Sequence, residues 1–215
     1  MNKKLFIFDL DGTLVNTVGG LNKSLNHAFY KNGLPLTDIN RTAHAIGNGI
    51  LITIRRLVPS GTSEQTIMNC LSDFRDYYKT HYMDDSFPYD GMFETLKELK
   101  KHGLKLAVAT NKLDEIAKQM IKEMFPNIFD IIIGDSTLFN KKPDPMIINH
   151  ITSYFNLNKE ETIYIGDSEV DKESADNAGV DLILVDYGFH RFDDFYSIKA
   201  KHISKPHELL NCVKI

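Results

Sequence analysis

The sequence predicts an α/β fold: a doubly wound parallel sheet interrupted by an all-helical insertion. Five short apolar runs, Leu5–Phe8, Leu104–Ala109, Asp130–Ile133, Thr162–Ile165 and Leu182–Val185, are near-continuous rather than alternating. That is the pattern of strands covered on both faces. Helical patterns separate the later runs, which makes βαβ units. The third observation is a gap: about 90 residues lie between Phe8 and Leu104, where a βα connection ordinarily takes a few.

Only the stretch Gly91–His102 is needed for the crossover helix. Met92, Phe93, Leu96 and Leu99 share one face, and Lys100, Lys101 and His102 precede Gly103 as a stop signal. Asn111 is expected to cap a helix running to about Met124, and Asp144-Pro145 to open another toward Tyr154. Within the gap, Leu21, Leu25, Ala28 and Phe29 form one apolar stripe. Thr62 with Gln65 reads as a capping box before Ile67, Leu71 and Phe74. Residues 16–84 are therefore expected to be an inserted helical unit, and residues 1–15 with 85–215 the α/β core. Removing the insertion leaves about 145 residues, near the usual domain size.

The 215 residues carry 25 Lys and Arg against 29 Asp and Glu, a net charge of −4, with 42% hydrophobic residues. That composition excludes disordered and fibrous chains. A mildly acidic chain lacks the positive field that nucleic-acid binding draws on, so no nucleic-acid partner is expected. The two cysteines, Cys70 and Cys212, show no metal-type spacing and read as reduced thiols. Met1-Asn2-Lys3-Lys4 resembles the charged start of a signal, but the apolar run behind it ends at Phe8. No segment approaches the roughly 20 apolar residues of a membrane span. A cytoplasmic protein without a membrane partner is the expectation, monomeric or homodimeric. The eight histidines, His190 among them, show no ligand spacing.

The chemistry concentrates at strand ends. In Phe8-Asp9-Leu10-Asp11-Gly12-Thr13, side chains two apart point the same way, so Asp9 and Asp11 face together. Taken alone, Asp11-Gly12 between apolar runs also reads as a hairpin turn. The second strand ends at Thr110-Asn111, the third precedes Lys141-Lys142-Pro143, and the fourth ends at Gly166-Asp167-Ser168-Glu169-Val170-Asp171. In an open parallel sheet these ends line one rim, where ligands bind. Four carboxylates, a hydroxyl and a lysine at one rim suit a divalent cation together with a phosphoryl group.

These motifs, in this order, resemble the haloacid dehalogenase (HAD) superfamily of aspartate-nucleophile phosphatases. Ile46-Gly47-Asn48-Gly49, Phe87-Pro88-Tyr89-Asp90-Gly91 and Thr110-Asn111-Lys112 resemble its phosphoglycolate phosphatase branch. The resemblance implies a HAD-like, Rossmannoid core, with the insertion as a mobile cap hinged near Val15–Thr17 and Ser86–Asp90. It implies Asp9 as nucleophile, Asp11 as general acid and base, and Mg²⁺ held by Asp9, the Asp11 carbonyl and Asp167. Asp171 would support the metal or orient Lys142, with Thr13 also behind the first ligands. Gly12, Thr110, the Asn111 amide and Lys142 would receive the phosphoryl group.

The implied substrate is a small phosphate ester, 2-phosphoglycolate first. A carboxylated substrate calls for a cap partner, sought at Asn48 with Arg41, His44 or Arg55 behind it. Pyrophosphatases and nucleotidases share much of the pattern. Mutases of the β-phosphoglucomutase type typically carry a bulkier aliphatic residue where Thr13 stands. Asp11 counts against a dehalogenase, and the helical insertion against a phospho-switch receiver.

Overall fold

The computed structural model describes residues 3–189 and 197–212, so Met1, Asn2 and His190 lie outside the described residues. The strands in chain order are β1 (Leu5–Phe8), β2 (Val15–Asn16), β3 (Phe87–Pro88), β4 (Lys105–Leu113), β5 (Ile131–Asp135), β6 (Thr162–Gly166), β7 (Asp181–Val185) and β8 (Lys201–Ile203). Six of them form one sheet in the order β5-β4-β1-β6-β7-β8, with every pairing parallel. The expected doubly wound α/β core is present, with β1 at its centre. One strand of this sheet was not anticipated: β8 has three residues, of which only Ile203 is buried. So short a run carries no periodicity to read.

Alternation along β1 builds both halves of the core. Phe6 and Phe8 point to a face where they join Leu106, Val108 and Met120. Leu5 and Ile7 point to the other, against Ala107, Tyr164 and Ile148. All four β1 side chains are fully buried, which is why the run is apolar without alternation.

The insertion contains α1 (Val18–Lys31), α2 (Ile39–Ala45), α3 (Ile50–Leu57) and α4 (Glu64–His81). It has its own apolar core, in which Leu21, Leu25, Ala28 and Phe29 of α1 meet Ile67, Leu71, Phe74 and Tyr78 of α4. The cap of α4 is Ser63, whose side chain accepts from the Thr66 amide, and not Thr62, whose hydroxyl donates to the Pro59 carbonyl. The expected Thr62–Gln65 box is thus displaced by one residue. Two short segments join insertion to sheet: β2 pairs antiparallel with β3, Val15 opposite Pro88 and Asn16 opposite Phe87. The Asp11-Gly12 turn therefore leads into this ribbon and makes no hairpin on β1.

The core helices are α5 (Met92–Lys101), α6 (Asp114–Met124), α7 (Met146–Tyr154) and α8 (Glu169–Ala178). Asp144 Oδ1 accepts from the Met146 amide, so Asp144-Pro145 opens α7 as expected. Asn111 caps no helix: β4 continues through it, and α6 begins at Asp114. Cys70 and Cys212 are free and buried. No helix of the described residues is long and apolar enough to cross a membrane.

Because Phe6 fills the larger face of the sheet at full burial, Phe6→Ala is expected to cost about 3–5 kcal/mol. Urea unfolding followed by circular dichroism measures it.

Candidate active site

The carboxyl ends of β1, β4, β5 and β6 meet beneath the insertion around a cavity of about 60 Å³. Its sheet side offers Asp9, Asp11, Thr110, Lys112, Asp135 and Asp167, and its insertion side Leu21, Leu25, Ile46, Ile50, Phe74 and Tyr78. Cavities need roughly 10–15 Å³ per water, so this one holds a few waters' worth, the scale of a small ester.

Asp9 follows β1 directly, its amide bonded to the Ile165 carbonyl of β6 at 2.9 Å. Its carboxylate is buried, and Oδ1 accepts no hydrogen bond. Lys142 Nζ lies 3.0 Å from that oxygen as an ion pair, but its hydrogen bonds go to Tyr164 Oη at 2.8 Å and Asp171 Oδ1 at 2.7 Å. Burial pushes the Asp9 carboxyl up to about 6, against the pull of Lys142 and with help from Asp171 and Asp11. Burial also opposes charge on Asp171, but Lys142 and Ser168 outweigh it and hold this carboxyl below its usual value.

Asp167 follows β6. Thr13 Oγ1 donates to its Oδ1 at 3.3 Å, and the Phe189 amide to its Oδ2 at 2.7 Å. Gly12 makes this packing possible. Its φ is +85°, and a Cβ there would lie 2.3 Å from Asp167 Oδ2.

Oxygens of Asp9, Asp167 and Asp171 lie within 4.8 Å of one another. Asp171 is already saturated: Oδ1 takes Lys142 and Tyr164, and Oδ2 takes the Asp167 and Ser168 amides and the Ser168 hydroxyl. Asp9 and Asp167 are therefore the carboxylates suited to a divalent cation, and an Asp9 carboxylate with one oxygen that accepts no hydrogen bond fits one. Asp171 serves Lys142.

The end of β4 divides three tasks. Thr110 Oγ1 accepts from the Lys112 amide at 3.3 Å, and the residue lines the cavity. Asn111 Oδ1 accepts from the Lys142 amide at 2.8 Å, while its Nδ2 donates to the carbonyls of Lys142 and Gly47, each at 3.0 Å. It therefore braces the lysine loop and ties down the insertion. Lys112 Nζ donates to Asp11 Oδ1 at 2.8 Å and to Tyr78 Oη of α4 at 2.6 Å. Burial opposes its charge, yet Asp11 and Tyr78 hold the ammonium above lysine's usual range. Asp11 also accepts from Thr17 Oγ1 at 2.7 Å.

The structure thus gathers Asp9, Asp11, Gly12, Thr13, Thr110, Asn111, Lys142, Asp167 and Asp171 at one rim. It does not bring Asn48 there. The Asn48 side chain accepts from Arg56 Nη2 at 2.7 Å and is not part of the cavity wall. Arg55 pairs with Glu64, while Arg41 and His44 are exposed. Lys142 also lies behind Asp9 rather than in the wall. The sequence reading missed Lys112, although its spacing of two from Thr110 in an extended strand was a signal that both face one way. Tyr78, Tyr164 and Asp135 had no local signal.

Fold and site together define an enzyme with a doubly wound parallel α/β core and its chemistry at the strand ends, beneath a helical insertion. The chain belongs to the haloacid dehalogenase-like hydrolases, whose family model matches residues 6–185, and it is a phosphatase of that family. A phosphoglycolate phosphatase of Pseudomonas putida is 30% identical over 194 residues, covering 87% of this chain and 71% of the relative. A solved structure from Haemophilus somnus, described as a predicted phosphoglycolate phosphatase, superposes with a TM-score of 0.92 at 28% identity, covering 99% and 98% of the two chains. A haloacid dehalogenase-like hydrolase from Streptococcus pneumoniae gives 0.88 at 25% identity and 98% of each.

Lys142→Met would leave Asp171 buried without its counter-charge. The expected loss is about 3–5 kcal/mol of stability at neutral pH, read by urea titration against the wild type.

Proposed function

We propose that the protein is a Mg²⁺-dependent phosphomonoesterase working through an aspartyl-phosphate on Asp9, with 2-phosphoglycolate or a similarly small ester as substrate. The observation that carries this reading is the buried Asp9 carboxylate, which lines the cavity beside Asp11 and has one oxygen ion-paired with Lys142 but without a hydrogen bond.

Asp9 attacks phosphorus, and the bond from phosphorus to the leaving oxygen breaks as that oxygen takes a proton from Asp11. Water then attacks the phosphoryl group, Asp11 recovers a proton from it, and inorganic phosphate leaves as the Asp9 carboxylate is restored. Mg²⁺, held by Asp9, Asp167 and the Asp11 carbonyl, would supply positive charge against the repulsion between nucleophile and phosphate. Lys142 keeps Asp9 and Asp171 from repelling each other, and Asp171 holds Lys142 in place. Thr110 and neighbouring amides, that of Asn111 among them, donate to the phosphoryl oxygens as their charge redistributes.

Residues 16–84 act as the cap in this reading. The β2–β3 ribbon, at the expected hinges, lets it close over the substrate and exclude water during transfer. The names of the bacterial relatives and the small cavity favour 2-phosphoglycolate over a nucleotide. Free buried thiols and the lack of a membrane-crossing helix among the described residues support a reducing, cytoplasmic setting.

Phosphate release from small esters, pyrophosphate and nucleotides, with Mg²⁺ and with EDTA, tests this. Release is expected to require Mg²⁺, to favour phosphoglycolate, and to fall at least about a thousandfold in Asp9→Asn. Activity surviving in Asp9→Asn would sink the nucleophile assignment.

A further inference from the structure

The cavity has two unlike ends. Its insertion side is built of Leu21, Leu25, Ile46, Ile50 and Phe74, with hydroxyls from Thr53 and Tyr78 and no charged side chain. Lys112 is the one cationic side chain in the wall among the described residues, and it comes from β4 of the core. A substrate carrying a second anionic group meets carboxylates on the sheet and aliphatic carbon on the insertion. A carboxylate buried against the latter without a partner is strongly disfavoured.

The position of Lys112 matches the place where such a group would fall. Its ammonium has three protons; one goes to Asp11 Oδ1 at 2.8 Å and one to Tyr78 Oη at 2.6 Å. The two bonds fix the nitrogen in place at the cavity wall and leave its third proton uncommitted by either. An oxygen protonated by Asp11 sits within roughly 2.6–3.2 Å of that carboxylate. Lys112 Nζ lies at a similar distance from the same carboxylate, so a group one or two atoms beyond the leaving oxygen comes within its reach.

We propose that Lys112 is the specificity-determining residue of the site: its ammonium takes the distal carboxylate of a small carboxylated phosphomonoester, and the core rather than the insertion selects the substrate. This deepens the phosphatase reading and rests on it. The Asp11 and Tyr78 bonds then have a purpose beyond neutralisation, since a lysine pinned at two points donates with little further loss of side-chain freedom.

The test compares 2-phosphoglycolate with ethyl phosphate, which lacks the carboxylate, on the full chain with Mg²⁺. In Lys112→Met the ratio of kcat/KM for the two esters is expected to fall roughly tenfold to a hundredfold, the worth of a charge-assisted hydrogen bond. Whatever activity is lost in common does not enter that ratio. An unchanged ratio, with both esters impaired alike, would overturn the proposal, because Lys112 would then act only through Asp11. Lys112→Gln replaces the methionine variant if that one does not fold.

A second measurement needs no turnover. Calorimetric binding of 3-phosphonopropionate by the wild type is expected to be at least tenfold tighter than that of propylphosphonate. The variant should lose most of that difference, and equal affinities in the wild type would overturn the proposal without any variant. Failure of the phosphatase reading looks different: the wild type would release no phosphate from either ester while the phosphonate preference could still be measured.

Discussion

Everything at this site depends on holding like charges together. Three carboxylates, Asp9, Asp167 and Asp171, lie within 4.8 Å of one another and are nearly buried. At that separation each pair repels by about 3 kcal/mol at an effective protein dielectric of about 20. Lys142 sits 3.0 Å from one and 2.7 Å from another, and its ammonium takes no further acid among the described residues. Burial raises the Asp9 carboxyl while Asp171 stays depressed, so the environment separates two acids that share one lysine. The cluster is left with two net negative charges, the amount a divalent cation offsets.

That constraint explains the support around it. Tyr164 accepts one proton of Lys142, and its own hydroxyl proton is shared between Asp171 Oδ1 at 3.1 Å and the Ala109 carbonyl at 2.9 Å, linking β6 to β4 behind the acids. Asn111 fixes the backbone of Lys142 from both sides. Ser168 caps α8 and, with its amide, fills one oxygen of Asp171. Removing any of these costs more than its own bond, since each holds a buried charge against its partner.

The strand ends were legible in the sequence because each lies within a few residues of an apolar run, and a parallel sheet must bring such ends to one rim. Two helices of the insertion were legible, α1 from its stripe and α4 from Ile67, Leu71 and Phe74. What escaped reading is long-range. Asn111 looks like a helix cap locally, but its partners lie 31 and 64 residues away, and β4 runs on through it. Asn48 stands in a glycine-flanked loop that suggests a binding turn, yet its oxygen is claimed by Arg56 one helix later. Nothing local marks Tyr78, whose apolar neighbours on α4 identify it as core; only folding turns its hydroxyl onto Lys112.

The tripeptide Thr110-Asn111-Lys112 shows how one strand end joins chemistry to closure. Thr110, Asn111 and Lys112 all line the cavity. Asn111 then reaches the carbonyl of Gly47, and Lys112 reaches Tyr78, so both polar ties from this segment to the insertion originate in adjacent residues. If the insertion opens about the β2–β3 ribbon as proposed, both ties break at once and both re-form on closing. The same closure would cover Asp9 with aliphatic side chains and complete the anchoring of Lys112 beside Asp11. On the proposed role of Lys112, a substrate that satisfies the ammonium would stabilise the closed arrangement and one that leaves it facing hydrocarbon would not, so selection and water exclusion would become one event.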